Sequence, residues 1–158
     1  MATSFDDIED LALIEIQDYR IDGLNNDIEA FHTYLDGFVV KAVPHFTNCL
    51  QSLSYDLDSR EFSKDLSNTE QEILACYVVE IWLKQVTQDI TQMNLHMTNK
   101  EFKVYSEAEN LKQKSEHLDR TREKVKQLSV EYQLQNIGQI SYFANLLKWG
   151  AEWTKRKW

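Results

Sequence analysis

The side chains able to carry chemistry are dispersed along the chain. His32, His45, His96 and His117 share no HExxH, HxE or similar spacing, so a metal site would have to be assembled wholly by the fold. The four glycines stand alone and form no phosphate loop, and there is no GxSxG elbow or reactive cysteine setting. Cys49 and Cys76 lie far apart, without CxxC spacing or a histidine at metal-ligand distance. They read as reduced thiols packed as small apolar groups. Acids are plentiful, but a string such as Asp6, Asp7, Glu9 and Asp10 reads as a solvated helix face, from which no catalytic carboxylate pair can be picked. The expectation is a protein that is not an enzyme, with no cofactor and no metal ligand.

One segment is chemically distinctive. Beyond Asn136 and Gly138 the chain carries Tyr142, Phe143, Leu146, Leu147, Trp149, Trp153 and Trp158, interleaved with Lys148, Lys155, Arg156 and Lys157. Leu146, Trp149 and Trp153 lie at helical spacings, which suits packing on the chain's own core. Large aromatics beside basic groups also suit a protein interface, where Trp and Arg concentrate binding energy. Contact with a membrane surface or a nucleic acid is the third reading, set against a strongly acidic body.

That acidity is uneven. The net charge is -9, and residues 1–65 carry fourteen acids against four bases, whereas residues 132–158 carry four bases against one acid. An acidic front argues against a nucleic-acid binder held by phosphate contacts. No basic residue precedes Arg20, the reverse of a secretory or mitochondrial leader. The most apolar run, Ile73 to Leu83, is interrupted by Glu80 and falls well short of the ~20 residues of a membrane span. A soluble chain is expected.

The elements that must position these groups are helical. One proline and four glycines are too few for a turn-rich β fold. Ser4, with Asp7 three residues on, can cap a first helix ending near Gly23. A second pattern runs from Asp27 to Val43 with Phe31, Leu35, Phe38 and Ala42 on one face, and Pro44 kinks it or starts a new turn. Residues 54–66 show no helical stripe and read as a loop or short strand pair. Ser67 and Glu70 make a capping signature ahead of a helix to about Met97, apolar nearly all round between Ile73 and Leu83 and so the central core helix. After a turn at Thr98, Asn99 and Lys100, Ser106 with Glu109 opens a long polar helix to about Gln135. Its seam is narrow: Leu111, Leu118, Val125 and Tyr132 recur every seven residues, fitting one partner surface, either this chain's own core or a neighbouring subunit. The fold class is all-α: a small helical bundle over 1–135 with one long polar helix, and a basic aromatic extension over 136–158.

From Leu35 to Tyr132 the wording resembles small helical head-assembly proteins of tailed bacteriophages. The likeness lies in LDGFVVKAVPHFTNCLQSLSYDLDSREF, TEQEILACYVVEIWLKQVTQDITQMNLHM and EFKVYSEAENLKQKSEHLDRTREKVKQLSVEY. The resemblance implies an adaptor, or head-tail connector: a subunit of a ring, usually twelve-fold, in the neck of the virion beneath the portal. Such a ring meets the portal and a stopper or tail-completion protein, and lets DNA pass without specific binding or membrane contact. It further implies that the loop carrying Phe102 and Tyr105 lies in a subunit contact. The end from Asn136 departs from the family pattern. Two other readings stay open: a regulatory or scaffold protein that binds a partner through its long helix, and a small metal-dependent enzyme with fold-assembled acids.

Overall fold

The computed structural model describes residues 2–16, 27–96 and 101–136; the side chains at 90, 92–96, 101–108 and 110 are left undescribed. Four helices and one short hairpin make up these residues. Helix α1 (Phe5–Glu15) starts on the expected capping box, with Asp6 N donating to Ser4 Oγ at 3.2 Å and Ser4 N to Asp7 Oδ2 at 3.1 Å. It stops at Glu15, well before Gly23, because Ile16 turns extended and is buried. Gly23 lies outside the described residues.

Helix α2 (Ile28–Ala42) is capped by Asp27, which accepts from Ala30 N at 3.1 Å, and it buries Leu35, Phe38, Val39 and Ala42. Pro44 sits in a single 3-10 turn, Val43–His45, where its missing N–H costs nothing. The loop region contains strands β1 (Tyr55–Asp56) and β2 (Glu61–Phe62), antiparallel with Tyr55 opposite Phe62. The N-terminal segment is tied to this hairpin: Phe5 N donates to Arg60 O at 2.9 Å and Phe62 N to Thr3 O at 2.8 Å.

Helix α3 (Asn68–His96) begins as the capping signature predicts, with Ser67 N donating to Glu70 Oε2 at 2.8 Å. Ile73, Leu74, Val78, Val79, Trp82 and Leu83 are all buried, so the apolar run is the core helix that α1, α2 and α4 surround. Phe5, Ile8, Phe38, Val39 and Phe62 close the core from the other side.

Helix α4 (Glu101–Gln135) differs from expectation at its start. Ser106 and Glu109 lie inside the helix, which already starts at Glu101 and runs through them without a break. Phe102 and Tyr105 are therefore helical residues, not loop residues. The seam faces inward. Leu118, Val125 and Tyr132 are buried and Leu111 is half-buried, so the heptad pattern fits this chain's own core. Thr98, Asn99, Lys100 and the extension from residue 137 lie outside the described residues. Among the described residues no helix is long and apolar enough to cross a membrane.

Candidate functional site

Charged side chains that are scattered in sequence converge where α1, α2 and the hairpin turn meet. Asp6 and Glu9 are one turn apart on α1, and His32 and Asp36 one turn apart on α2, so each pair shares a helix face. Arg60 completes the group from the turn between β1 and β2. Its backbone is left-handed, φ 55°, and its carbonyl is engaged by Phe5 N while its side chain reaches the helices. An unfavourable non-glycine conformation held by two sets of bonds is a deliberate constraint of the fold.

The geometry is a cation between three carboxylates. Arg60 Nη1 lies 2.8 Å from Asp6 Oδ1, Nη2 lies 3.1 Å from Glu9 Oε2, and Nε donates to both Asp36 oxygens at 3.1 Å. His32 Nδ1 is 3.2 Å from Glu9 Oε2 and 3.6 Å from Asp6 Oδ1. Glu9 is 2% exposed. Its burial, reinforced by the hydrogen bond with Asp36, pushes its pKa up to about 7 against the opposing pull of His32 and Arg60. One guanidinium does not balance three carboxylates, so the innermost one tends to keep its proton. Arg60 is held above its usual range by its carboxylate partners, despite its partial burial.

This overturns the expectation that the chain has no convergent reactive groups. Ligand atoms of Asp6, Glu9 and His32 lie within 4.8 Å of one another, close enough to hold one metal ion. A carboxyl titrating near neutrality beside an imidazole is also a proton-transfer pair, so catalytic potential is present where none was expected. The guanidinium of Arg60 already contacts two of those three ligands, so an incoming ion would have to displace it.

The remaining expected site residues do not gather here. Leu118, Val125 and Tyr132 belong to the core, and Leu111 lies at its edge. Phe102 and Tyr105 are at the start of α4, with their side chains undescribed. Lys148, Trp149, Trp153, Lys155, Arg156 and Trp158 lie outside the described residues. Cys76 is buried and Cys49 half-buried, and desolvation pushes both thiols up to about 11, which keeps them protonated and unreactive as expected. Sequence reasoning missed the Arg60 cluster, although the one-turn spacings of Asp6 with Glu9 and His32 with Asp36 were its visible signal. No protein family, curated protein or solved structure matches the chain.

Proposed function

We propose that the chain is a subunit of a head-tail connector ring in a tailed bacteriophage, joining the portal to a stopper or tail-completion protein. The reading rests on the resemblance of the wording of residues 35–132 to helical adaptor proteins. Two features support it. A small helical bundle with one helix of 35 residues gives each subunit a rigid element about 50 Å long. An acidic surface lets packaged DNA slide past without the phosphate contacts that a basic lumen would make. In this reading the subunits form a closed ring, twelve-fold as in the family, and Lys148, Trp149, Trp153, Lys155, Arg156 and Trp158 contact a neighbouring protein. Electron microscopy of virions carrying a tagged copy tests it. A ring of label beneath the portal supports the reading, and virions without the chain overturn it.

A second reading is favoured by one observation, the convergence of Asp6, Glu9 and His32. These residues would hold a divalent ion, which when bound supplies Lewis-acid chemistry. The chain's own contribution is the near-neutral carboxyl of Glu9, able to take or give a proton beside His32. Calorimetric titration with zinc or manganese separates this reading from a purely electrostatic cluster.

A further inference from the structure

A groove of about 540 Å³ runs between α1 and the first three turns of α3, with Lys124 of α4 at one side. Its apolar lining comes from Leu11 and Ile14 on α1 and from Ala75, Cys76 and Val79 on α3. Ile14 is 75% exposed and Leu11 37% exposed, on a helix whose Phe5, Ile8 and Ala12 are fully buried. Four acids, Asp7, Asp10, Glu15 and Glu72, rim the groove against the single base Lys124. Lys124 is itself bound to Glu15 at 2.5 Å and lies 3.7 Å from Glu72. An apolar trough with an acidic rim selects a segment that is both apolar and basic.

The chain has one such segment. Trp149, Trp153 and Trp158 with Lys148, Lys155, Arg156 and Lys157 form its basic aromatic end. Where α4 finishes also favours this match. Gln135 and Asn136 line a pocket together with Ser67 and Thr69, and Asn68, between those two, stands at the end of the groove. From Asn68 to Val79 the groove follows α3 for only ~16 Å at 1.5 Å per residue. Trp149 is thirteen residues past Asn136, which at ~3.3 Å per residue spans more than twice that distance. The connection 17–26 also adjoins α1, but Asp18 and Asp22 against Arg20 leave it acidic, the wrong sign for this rim.

We propose that this groove is the docking site for the C-terminal segment of the same chain, residues 146–158, with tryptophans over Leu11, Ile14 and Val79 and the basic groups on the acidic rim. A short tether holds the segment at a high effective concentration, so weak individual contacts suffice. The pairing is a property of the isolated chain, and in the ring reading the same segment would leave the groove to contact a neighbouring protein.

Trypsin cleavage at Lys148, Lys155 and Arg156 of the full-length chain, followed by mass spectrometry, tests it. Protection of an opened segment tracks its open population, so the paired reversal Asp10→Lys with Glu72→Lys should speed cleavage there roughly tenfold. Ile14→Asp should do the same, and the exposed hairpin substitution Asp58→Lys should not. Adding Lys155→Glu, Arg156→Glu and Lys157→Glu to the reversed rim should restore the protection of Lys148, a rescue that general destabilisation cannot give. Equal cleavage in all these variants overturns the proposal. Protection that fades on dilution, with a dimer mass by light scattering, assigns the groove to a second copy and likewise overturns it. If Ile14→Cys, with alkylation at position 14 followed by mass spectrometry, reacts no faster after residues 142–158 are deleted, that segment does not cover the groove and the proposal fails.

Discussion

Tyr132, near the end of α4, donates its hydroxyl to Glu70 in the first turn of α3 at 2.5 Å, and the same oxygen accepts Leu50 N–H at 3.0 Å. Both side chains are buried. Burial alone would raise the Glu70 carboxyl, but the bonds from Tyr132 and Ser67 hold it below the usual carboxylate range. One hydroxyl thus joins α4, the loop after the 3-10 turn and the cap of α3. Tyr132→Phe removes a bond to a buried charge and leaves Leu50 N–H unmatched, so we expect a loss of about 2–3 kcal/mol in urea unfolding. A loss near zero would show water replacing the hydroxyl.

Trp82 sits in the middle of α3, 2% exposed, with Lys114 Nζ 5.0 Å above its ring. Trp82→Ala leaves a cavity in the buried core and should cost roughly 3–5 kcal/mol, a large share of a small domain's stability. Thermal and denaturant unfolding measure it, with Lys114→Met separating the much smaller cation–π share.

Glu9 sets the sign of one pH dependence. Its folded pKa, about 7, lies above its ordinary value of 4.5, so the folded chain binds more protons than the unfolded chain between those pH values. Stability from this group is therefore greatest below pH 4.5 and falls as pH rises to about 7. Glu9→Gln cannot ionise, so it carries a pH-independent offset for its altered bonds and lacks this fall. Relative to Glu9→Gln, the parent chain should lose on the order of 2–3 kcal/mol between pH 4.5 and 8. Denaturant titrations at several pH values read the difference. The opposite slope, gaining with pH, would place Glu9 as a fully ionised partner of Arg60.

Much of the architecture was legible because it rests on local signals. The Ser4–Asp7 and Ser67–Glu70 boxes mark helix starts where backbone N–H groups lack partners, and the structure uses both. The run from Ile73 to Leu83 marked the core because only a surrounded helix is apolar nearly all round. Ser106 with Glu109 misled, since the same spacing sits harmlessly inside a helix that has already started upstream. The seven-residue seam was legible as a seam, but a period does not say which surface meets it. The Arg60 cluster was hidden for a different reason: it joins residues from α1, α2 and the hairpin turn, and only tertiary packing brings those three together.

The inward seam separates two kinds of assembly. Val125 is 3% exposed inside the domain, so Val125→Asp should unfold the chain rather than dissociate an intact dimer. We expect the loss of helical circular dichroism and of cooperative melting together, at a cost of more than about 3 kcal/mol. A well-folded monomer from this variant, beside a dimeric parent, would restore the coiled-coil reading.

The final prediction concerns competition between Arg60 and a metal ion for the same carboxylates. Arg60 Nη1 is 2.8 Å from Asp6 Oδ1 and Nη2 3.1 Å from Glu9 Oε2, so a divalent ion ligated by Asp6, Glu9 and His32 would sit against a fixed positive charge. Arg60→Gly is the informative variant, because φ 55° suits glycine and the substitution relieves backbone strain while removing the charge. With the guanidinium gone, the repulsion between two close cations disappears, and zinc affinity by calorimetry should rise by roughly tenfold or more over the parent chain. His32→Ala in the same background should abolish that gain, since it removes the one nitrogen ligand. Glu9→Gln should weaken it too, since it replaces a carboxylate ligand with a neutral amide, and affinity should climb with pH as Glu9 releases its proton. If neither the parent nor Arg60→Gly binds zinc, the cluster is an ion-pair device that fixes α1, α2 and the hairpin. The Arg60→Gly chain should then be less stable at pH 7 than at pH 4.5, where the proton on Glu9 removes its repulsion with the neighbouring carboxylates.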